Sequence, residues 1–393
     1  MKNHTLITLL FSVFIALLGI GIIVPVLPVF AKELGAGGFG LGMIIAAFSV
    51  SRGLLQPVVG NMSDQWGRKN FLMVGLLVYG LVGLLIPMAG SVGHLIGIRG
   101  FHGIGSAMIV PIAMAYMSLL APSGHEGRYM SYLNVAIFCG IGCGPIIGGV
   151  IFDNLGFPAV FYTMAGLSFF AFFLVIRFLP ARVDADQLQK KKLLASLLSM
   201  LRNNKTCGIL IARYATMIIM VPTMAFLPLL MSGWDGNTGL RIGIVIACRT
   251  LVNATLQVPF GKVADKGNKL YVLLSCSVAL SCILFSIPLF DSFVEMIVIY
   301  LLLGTVEAGI WAVLGAYASI EAKKHYGHGT MMGVFSFAMS AGVFTGAVLA
   351  GYSMDGWGIH RAYQVSSITV LLLSVVAAVM IARGEGKELV LSH

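Results

Sequence analysis

The sequence predicts an all-α membrane protein in which twelve membrane-spanning helices form two pseudo-symmetric six-helix bundles. Hydrophobic residues make up 58% of the chain and charged residues only 10%, whereas about 25% of the residues of a soluble domain are charged. Twelve apolar segments approach or exceed the roughly 20 residues that a helix needs to cross a bilayer. Polar and glycine motifs of the first half also recur in the second half. We therefore expect lipid to contact most of the surface.

The predicted spans fall into two groups of six, separated by the longest polar stretch of the chain. The first group is predicted at 6–31, 40–62, 70–90, 92–119, 129–152 and 157–180. The second group is predicted at 206–231, 240–262, 269–290, 293–320, 329–353 and 360–383. We expect an N-terminal six-helix bundle over 1–180, a cytoplasmic linker over 181–205 and a C-terminal six-helix bundle over 206–393. The first apolar stretch is too long for a secretory signal and contains Pro25 and Pro28, so it is predicted to be a retained span.

The distribution of basic residues predicts the orientation of the chain in the membrane. With the N-terminus in the cytoplasm, eighteen of the 25 Lys and Arg residues lie on the cytoplasmic side, three outside and four within spans. Cytoplasmic loops carry such an excess, and the opposite orientation would reverse it. We expect a multi-pass protein of the inner (plasma) membrane with both termini in the cytoplasm. Because the basic residues are scattered singly, the net charge of +10 does not indicate a nucleic-acid partner.

An internal repeat relates the two halves at an offset of 201 to 202 residues. Two sets of matches keep this register: Leu55-Gln56, Gly60 and Asp64 recur as Leu256-Gln257, Gly261 and Asp265, and Gly144, Gly149, Asp153 and Gly156 recur as Gly346, Gly351, Asp355 and Gly358. Duplicated halves are typical of secondary transporters, which bind their substrate between the repeats near the midplane of the bilayer. The repeat therefore predicts a 6 + 6 arrangement about an axis along the membrane normal.

The sequence predicts no cofactor, no metal site and no enzymatic chemistry. Its six cysteines lie in apolar runs without metal-ligand spacing: Cys139, Cys143, Cys207, Cys248, Cys276 and Cys282. Free cysteines in such surroundings behave as small hydrophobic residues. No nucleophile–base pairing or phosphate-binding loop accompanies them, so an enzyme is not expected.

A charged, glycine-containing loop motif, GNMSDQWGRK over 60–69, follows the second predicted span. Asp64 is expected to interact with the positive N-terminal end of a nearby helix and with Arg68. Together with Gly60 and Gly67, these residues would form a latch that breaks when the halves move. A loop tip that only obeys the positive-inside rule would explain the basic residues, but not the carboxylate or the two glycines.

This loop resembles the loop signature of the major facilitator superfamily, and the resemblance covers the whole chain. RGFHGIGSA over 99–107, in the fourth span, resembles the proton-coupling segment of that family. In the fifth span, a set of four glycines and one proline resembles the antiporter motif of the family: Gly140, Gly144, Pro145, Gly148 and Gly149. The resemblance implies that the chain has the fold of that family and that it is a twelve-span drug:proton antiporter. The second loop copy, GKVADKG over 261–267, is shortened.

The glycine spacing in the fifth span also has a direct physical interpretation. Gly140, Gly144 and Gly148 share one face of a helix, where they allow a neighbouring helix to approach closely. Pro145 would then bend the helix. A tight, bent seam would resist leakage during export, although simple helix packing explains the same spacing.

Four arginines lie within predicted spans, and only one acid lies deep enough to balance them. The arginines are Arg52, Arg99, Arg213 and Arg249. Each costs roughly 2.5–3.5 kcal/mol at the centre of a span, so partners or a wet cavity are expected. The acid is Glu307 in the tenth span. It is predicted to bind protons or to contact substrate; the alternative is that it only neutralises Arg249 or Arg213.

The resemblance assigns Arg99 to proton coupling, and His102 lies one helical turn further on a similar face. His102 is a candidate for the same role, with packing or hydrogen bonding as the alternative. Arg213 lies close enough to the inner surface to extend its side chain towards water. Residues predicted to line a substrate cavity are Arg52, Gln56, Asn134, Arg213, Arg249, Asn253 and Gln257. Hydrogen bonds between helices would equally explain the four amides.

These observations predict a proton-coupled exporter that works by alternating access, of the multidrug type or with organic anions as substrates. The surplus of buried arginines favours one specific organic anion, such as a carboxylate metabolite or a siderophore. A proton symporter is the mechanistic alternative, and a non-transporting membrane receptor is disfavoured by the short termini. The expected partners are a small-molecule substrate, protons and the lipid bilayer. The protein is expected to be a monomer.

Overall fold

The computed structural model describes residues 2–23, 26–36, 38–180, 193–231, 234 and 239–391, and the regular elements of these residues are all helical. The helices of the first half are α1 (Lys2–Ile23), α2 (Leu27–Glu33), α3 (Gly38–Trp66), α4 (Arg68–Leu85), α5 (Val92–Ala107), α6 (Val110–Leu120) and α7 (Glu126–Phe178). Those of the second half are α8 (Leu193–Arg202), α9 (Asn204–Ile218), α10 (Leu227–Leu230), α11 (Gly239–Lys266), α12 (Lys269–Ser286), α13 (Phe293–Glu321), α14 (His328–Trp357) and α15 (Ile359–Leu391).

Shorter helical turns extend several of these helices. The turns Ile86–Met88 and Ile287–Leu289 are 3₁₀-helical and follow α4 and α12. Two segments with the wider π-helical turn, Val221–Ala225 and Ala322–Tyr326, follow α9 and α13. The π-helical turn is rare and often occurs at functional sites.

Eleven helical stretches among the described residues are long and apolar enough to cross a membrane. Each corresponds to one predicted span. The remaining predicted span, 40–62, lies within the 29-residue helix α3, whose polar residues include Arg52 and Gln56. The all-α membrane fold predicted from the sequence is therefore confirmed.

Glycines with a left-handed backbone separate consecutive spans at equivalent positions of the repeat. Gly156, with a φ of 76°, breaks the long helix α7 into two spans. Gly358, with a φ of 85°, separates α14 from α15 in the second half. Glycine adopts this conformation without the steric cost that a side chain would add. The repeat therefore specifies where the fifth span of each half ends and the sixth begins.

The chain forms two compact units, each built mainly from one half of the sequence. Unit 1 comprises Met1–Ala121, Tyr132–Leu193 and Ala322–Phe337. Unit 2 comprises Pro122–Ser131, Leu194–Glu321 and Ala338–His393. Each unit thus includes a short segment from the other half. The bundle boundaries at 180 and 206 stay predictions, and most of the predicted linker, 181–192, lies outside the described residues.

Equivalent helix pairs hold the intramembrane charges in the two units. In unit 1, α3 packs against α5, and in unit 2, α11 packs against α13. At the closest approach Gly103 lies against the carbonyl group of Phe48, and Gly304 lies against that of Arg249. Both pairs obey the repeat offset of 201. These two crossings place Arg52 and Arg99 together in unit 1, and Arg249 and Glu307 together in unit 2.

Candidate functional site

A buried ion pair joins α11 and α13 in unit 2. Arg249 Nε donates to Glu307 Oε2 at 2.7 Å, and Arg249 Nη2 donates to Glu307 Oε1 at 2.5 Å. Both residues are almost fully buried, with exposed fractions of 3% and 5%. A bidentate contact of this kind is the strongest arrangement of a guanidinium and a carboxylate. Of the two arginines considered as partners for Glu307, the structure places Arg249 against it.

The same guanidinium also contacts the π-helical segment that follows α9. Arg249 Nη1 donates to the Thr223 hydroxyl at 2.5 Å. The Tyr300 hydroxyl donates to the Thr223 carbonyl at 2.8 Å, and the Tyr363 hydroxyl donates to the Pro222 carbonyl at 2.7 Å. Sequence reasoning missed these three polar residues. The one local signal was Pro222, which removes a backbone N–H from its span.

Arg213 does not extend towards the surface, so the expectation that its side chain reaches water there was wrong, while its predicted place in a substrate cavity stays a prediction. Its side chain is fully buried. The guanidinium carbon lies 3.8 Å from the centre of the Trp311 ring, and Nη2 lies 3.2 Å from the Met339 sulfur. A cation over the face of an indole is stabilised electrostatically in a dry environment. This aromatic contact holds Arg213 in the interior of unit 2.

In unit 1, the structure brings Arg99 and His102 into direct contact. Arg99 Nη1 lies 2.7 Å from His102 Nδ1. Because a guanidinium can only donate, Nδ1 must accept, and the imidazole in this contact is neutral with its proton on Nε2. His102 is fully buried, and the Phe48 and Tyr79 rings stand edge-on to it. The arrangement makes His102 the residue that orients the Arg99 guanidinium.

Arg52 and Arg99 lie against one aromatic ring. Their guanidinium carbons are 6.0 Å and 4.3 Å from the centre of the Phe48 ring. Among the described residues, neither arginine forms an ion pair with a carboxylate, and the Nε atom of each is buried without a hydrogen-bond partner. His102 Nε2 is likewise buried without a hydrogen-bond partner. Unit 1 therefore holds two positive charges that the described carboxylates do not balance.

The four amides predicted to line the cavity are all buried. Asn253 and Gln257 are brought together on α11, where Gln257 Nε2 donates to Asn253 Oδ1 at 2.5 Å. Gln56 occupies the position equivalent to Gln257 in the repeat and is likewise fully buried, whereas Asn134 lies on α7. The Asn253–Gln257 contact is a hydrogen bond within one helix.

Asp64 makes both contacts that its loop motif predicted. Its carboxylate accepts hydrogen bonds from the backbone N–H groups of Gly329 and Thr330 at 2.7 and 2.8 Å. It also accepts from the Thr330 hydroxyl at 3.0 Å and from Arg68 Nη2 at 2.7 Å. Gly329 and Thr330 form the first turn of α14, where unpaired N–H groups and the helix dipole favour an anion.

The two glycines of the loop motif allow this geometry. Gly60 lies against the backbones of Gly329 and Gly333, where a Cβ atom would overlap with main-chain atoms. Gly67 separates α3 from α4 with a φ of 92°. Both positions therefore require glycine, one for close approach and one for its backbone conformation.

The shortened second copy of the loop makes the equivalent contact in unit 2. Asp265 accepts hydrogen bonds from the N–H groups of Gly127 and Arg128 at 2.7 and 3.1 Å, at the start of α7. Gly127 also lies against the carbonyl of Gly261, as Gly329 lies against that of Gly60. Sequence reasoning did not predict this contact, although the offset of 201 to 202 residues relates Asp265 to Asp64 and also relates Gly127 to Gly329.

The glycines of the fifth span form a close seam with α1 in unit 1. Gly140 lies against Phe14 and Leu18, Gly144 against Gly21, and Gly148 against Ile22. These three glycines share one face, as their spacing predicted. Gly149 lies off this face, with no atom near its missing side chain. Pro145 is exposed, and α7 continues through it.

Two repeat-related sets of spans that hold ionised side chains are typical of membrane transporters. The chain belongs to the major facilitator superfamily, whose family model matches residues 9–328 and 223–391. The protein is therefore a multi-span membrane protein of a family that transports small molecules.

Known proteins agree with this assignment. The chain is 28% identical over 379 residues to an uncharacterized MFS-type transporter, MJ1560, of Methanocaldococcus jannaschii, a match covering 95% of this chain and 97% of that protein. It is 29% identical over 174 residues to the quinolone resistance protein NorA of Staphylococcus aureus, which covers 44% of this chain and 45% of NorA. The crystal structure of the human organic anion transporter MFSD10 (TETRAN) matches with a TM-score of 0.83 at 16% identity, covering 96% of this chain and 99% of that chain.

Replacing Gly144 by alanine is expected to destabilise the seam between α1 and α7. The added Cβ would overlap with the backbone of Gly21 and Ile22, and overpacking of this kind costs about 1–3 kcal/mol. Gly149→Ala is the matched control, because no atom lies within 4 Å of its added Cβ. The apparent melting temperature of the purified protein in detergent should fall for Gly144→Ala alone. Equal melting temperatures for both variants would contradict the seam.

Asp64→Asn is expected to destabilise the protein more than Asp265→Asn. The amide keeps one acceptor but turns an N–H₂ group towards backbone donors, and an unsatisfied buried donor costs about 1–3 kcal/mol. Asp64 also loses its contacts with Arg68 and the Thr330 hydroxyl, which Asp265 does not have. Thermal unfolding checks the order, with the exposed Asp291→Asn as control. A larger loss for Asp265→Asn would show that the contacts with Arg68 and the Thr330 hydroxyl add no stability.

Proposed function

We propose that the protein exports small molecules across the inner membrane in exchange for protons, by alternating access, with both of its termini in the cytoplasm. The observation that carries the proposal is the buried Arg249–Glu307 pair. Glu307 is a titratable group held within a membrane span, directly against a positive charge. A group of this kind can bind a proton from one side of the membrane and release it on the other.

Protonation of Glu307 would change the charge balance of unit 2. The ionised pair is neutral, whereas the protonated acid leaves Arg249 as a buried positive charge. Breaking a buried ion pair by neutralising one partner costs about 3–5 kcal/mol in proteins. The protonated protein should therefore favour a conformation in which Arg249 reaches water or another partner. This difference between conformations is what couples proton binding to movement.

The Arg99–His102 contact supports the same principle in unit 1. His102 can accept a proton on Nδ1 only when Arg99 leaves that atom, because the two cannot share it. Protonation of His102 and protonation of Glu307 would thus each release an arginine. We assign Glu307, Arg99 and His102 to proton coupling on this basis.

The contacts of Asp64 are proposed to act as the conformational latch. Residues 328–337 of α14, including the turn that Asp64 contacts, belong to unit 1, and the rest of the helix belongs to unit 2. A movement of either unit would therefore pull on the hydrogen bonds between Asp64 and that turn. The glycine seam between α1 and α7 is proposed to keep unit 1 closed to leakage during this movement.

A second candidate function is transport of an organic anion, favoured by the unbalanced pair Arg52 and Arg99. The charge of the substrate determines the direction of coupling. A cationic or neutral substrate competes with protons for ionised Glu307, which gives exchange. An anionic substrate binds better once Glu307 or His102 is protonated, which gives cotransport. The quinolone resistance protein among the relatives favours export, so we place exchange first.

Glu307→Gln is expected to abolish proton-driven substrate accumulation in inside-out membrane vesicles, because glutamine cannot ionise. Ethidium fluorescence follows accumulation when respiration acidifies the vesicle lumen. Glu295→Gln, at an exposed position on the same helix, should transport like the wild type. Undiminished transport by Glu307→Gln would remove this residue from the mechanism.

The direction of proton movement should distinguish the two candidate functions. In proteoliposomes containing a trapped pH indicator, ethidium added outside should raise the lumenal pH, because each entry expels protons. Carboxyfluorescein, an anion, should leave the lumenal pH unchanged. If carboxyfluorescein instead lowers the lumenal pH and ethidium has no effect, anion cotransport replaces exchange. Arg52→Gln should then reduce the carboxyfluorescein signal.

A further inference from the structure

The π-helical segment Val221–Ala225 is held by side chains from three other spans. Phe226 N–H bonds to the Val221 carbonyl at 3.2 Å, which closes the wide turn. Tyr300 of α13 and Tyr363 of α15 donate to carbonyl groups of this segment. Arg249 of α11 donates to the hydroxyl of Thr223. Thr223, Arg249, Tyr300 and Tyr363 are all buried in unit 2.

We propose that Thr223 is a positioning residue that links the protonation of Glu307 to the conformation of this π-helical segment. The inference rests on the proposed function, in which Glu307 binds the proton. When Glu307 is ionised, its two oxygens fix the Arg249 guanidinium so that Nη1 points at Thr223. When Glu307 is protonated, the guanidinium loses this anchor, Thr223 loses its donor, and the segment loosens.

The hydrogen bonds of Thr223 determine that its hydroxyl acts as an acceptor in this link. Its hydroxyl donates to the Ile219 carbonyl at 2.6 Å. A hydroxyl carries a single proton, so towards Arg249 it can only accept. The Ile219 carbonyl also accepts the Thr223 backbone N–H at 3.1 Å. The threonine therefore connects the guanidinium directly to the last regular turn of the span.

Of the three side chains that hold the segment, Arg249 is the one whose contact depends on charge. The titratable groups in electrostatic contact with Arg249 are Glu307, Tyr300 and Tyr363, and phenols are neutral at physiological pH. From the α9 side, the Met220 sulfur lies 3.7 Å from Arg249 Nη2. The helix α12, which also packs against α13, carries Lys269 as its one charged residue, at its first position. The two tyrosines therefore hold the segment whether or not Glu307 is protonated, whereas Arg249 holds it only when Glu307 is ionised.

Hydrogen–deuterium exchange of the full-length protein in lipid nanodiscs tests the link without any substrate. For the wild type, exchange of the amides in 221–227, normalised to intrinsic rates, should rise about tenfold on acidification, the effect of losing one charged hydrogen bond. Glu307→Gln and Thr223→Val should show the raised exchange at every pH. Thr223→Ser retains the hydroxyl and should keep the wild-type pH profile.

The double variant distinguishes a link from two independent effects. If Thr223 acts through Arg249 and Glu307, then Thr223→Val combined with Glu307→Gln should exchange like either single variant. Multiplied effects in the double variant, or a wild-type pH profile for Thr223→Val, would overturn the inference. Lost transport by Glu307→Gln with unchanged exchange overturns this inference alone. Retained transport by Glu307→Gln removes Glu307 from the proposed function, and this inference then loses its basis.

Discussion

The structure depends on one constraint: an ionised group placed among apolar helices must be given a partner by the fold. Arg249 is matched by a carboxylate, Arg213 by the face of an indole and Arg99 by a neutral imidazole. These partners differ greatly in strength, because only the carboxylate cancels the charge. Unit 2 therefore holds a neutral pair where unit 1 holds two positive charges. The two repeats share a backbone arrangement, but they differ in the charges that this arrangement holds.

The shared backbone is maintained by contacts that tolerate little variation. Gly60 and Gly261 each bring a helix close to the first turn of a distant helix, and Asp64 and Asp265 bind the N–H groups that this approach exposes. The close approach of the two helices and the carboxylate contact depend on each other. Without glycine the N–H groups lie out of reach, and without the carboxylate they remain unsatisfied. Both repeats have this combination, although the charges around it differ.

What the sequence could predict followed from local pattern. Apolar length and repeat register predicted the helices, and the charge pattern around Asp64 predicted its contacts. Asp265 was missed because its shortened loop lacks that pattern, although the repeat aligned it. Thr223 was missed because a threonine in an apolar span has no distinguishing neighbour in sequence. Arg213 was placed wrongly because Trp311, which holds it, is 98 positions away and becomes its neighbour only through tertiary packing.

The two kinds of carboxylate contact also differ in what can displace them. Asp64 and Asp265 bind backbone N–H groups, which have no side-chain freedom and do not titrate, so these donors are displaced only when the helices themselves move. Glu307 binds a guanidinium on a flexible side chain, so a single proton can release it without any prior backbone movement. In the proposed mechanism, the Glu307 contact would respond to the proton, and the contacts of Asp64 and Asp265 would resist until the whole helix moves. The Glu307 contact lies within the spans and the Asp64 and Asp265 contacts lie at helix N-termini, so the group proposed to bind protons is separate from the contacts proposed to limit movement.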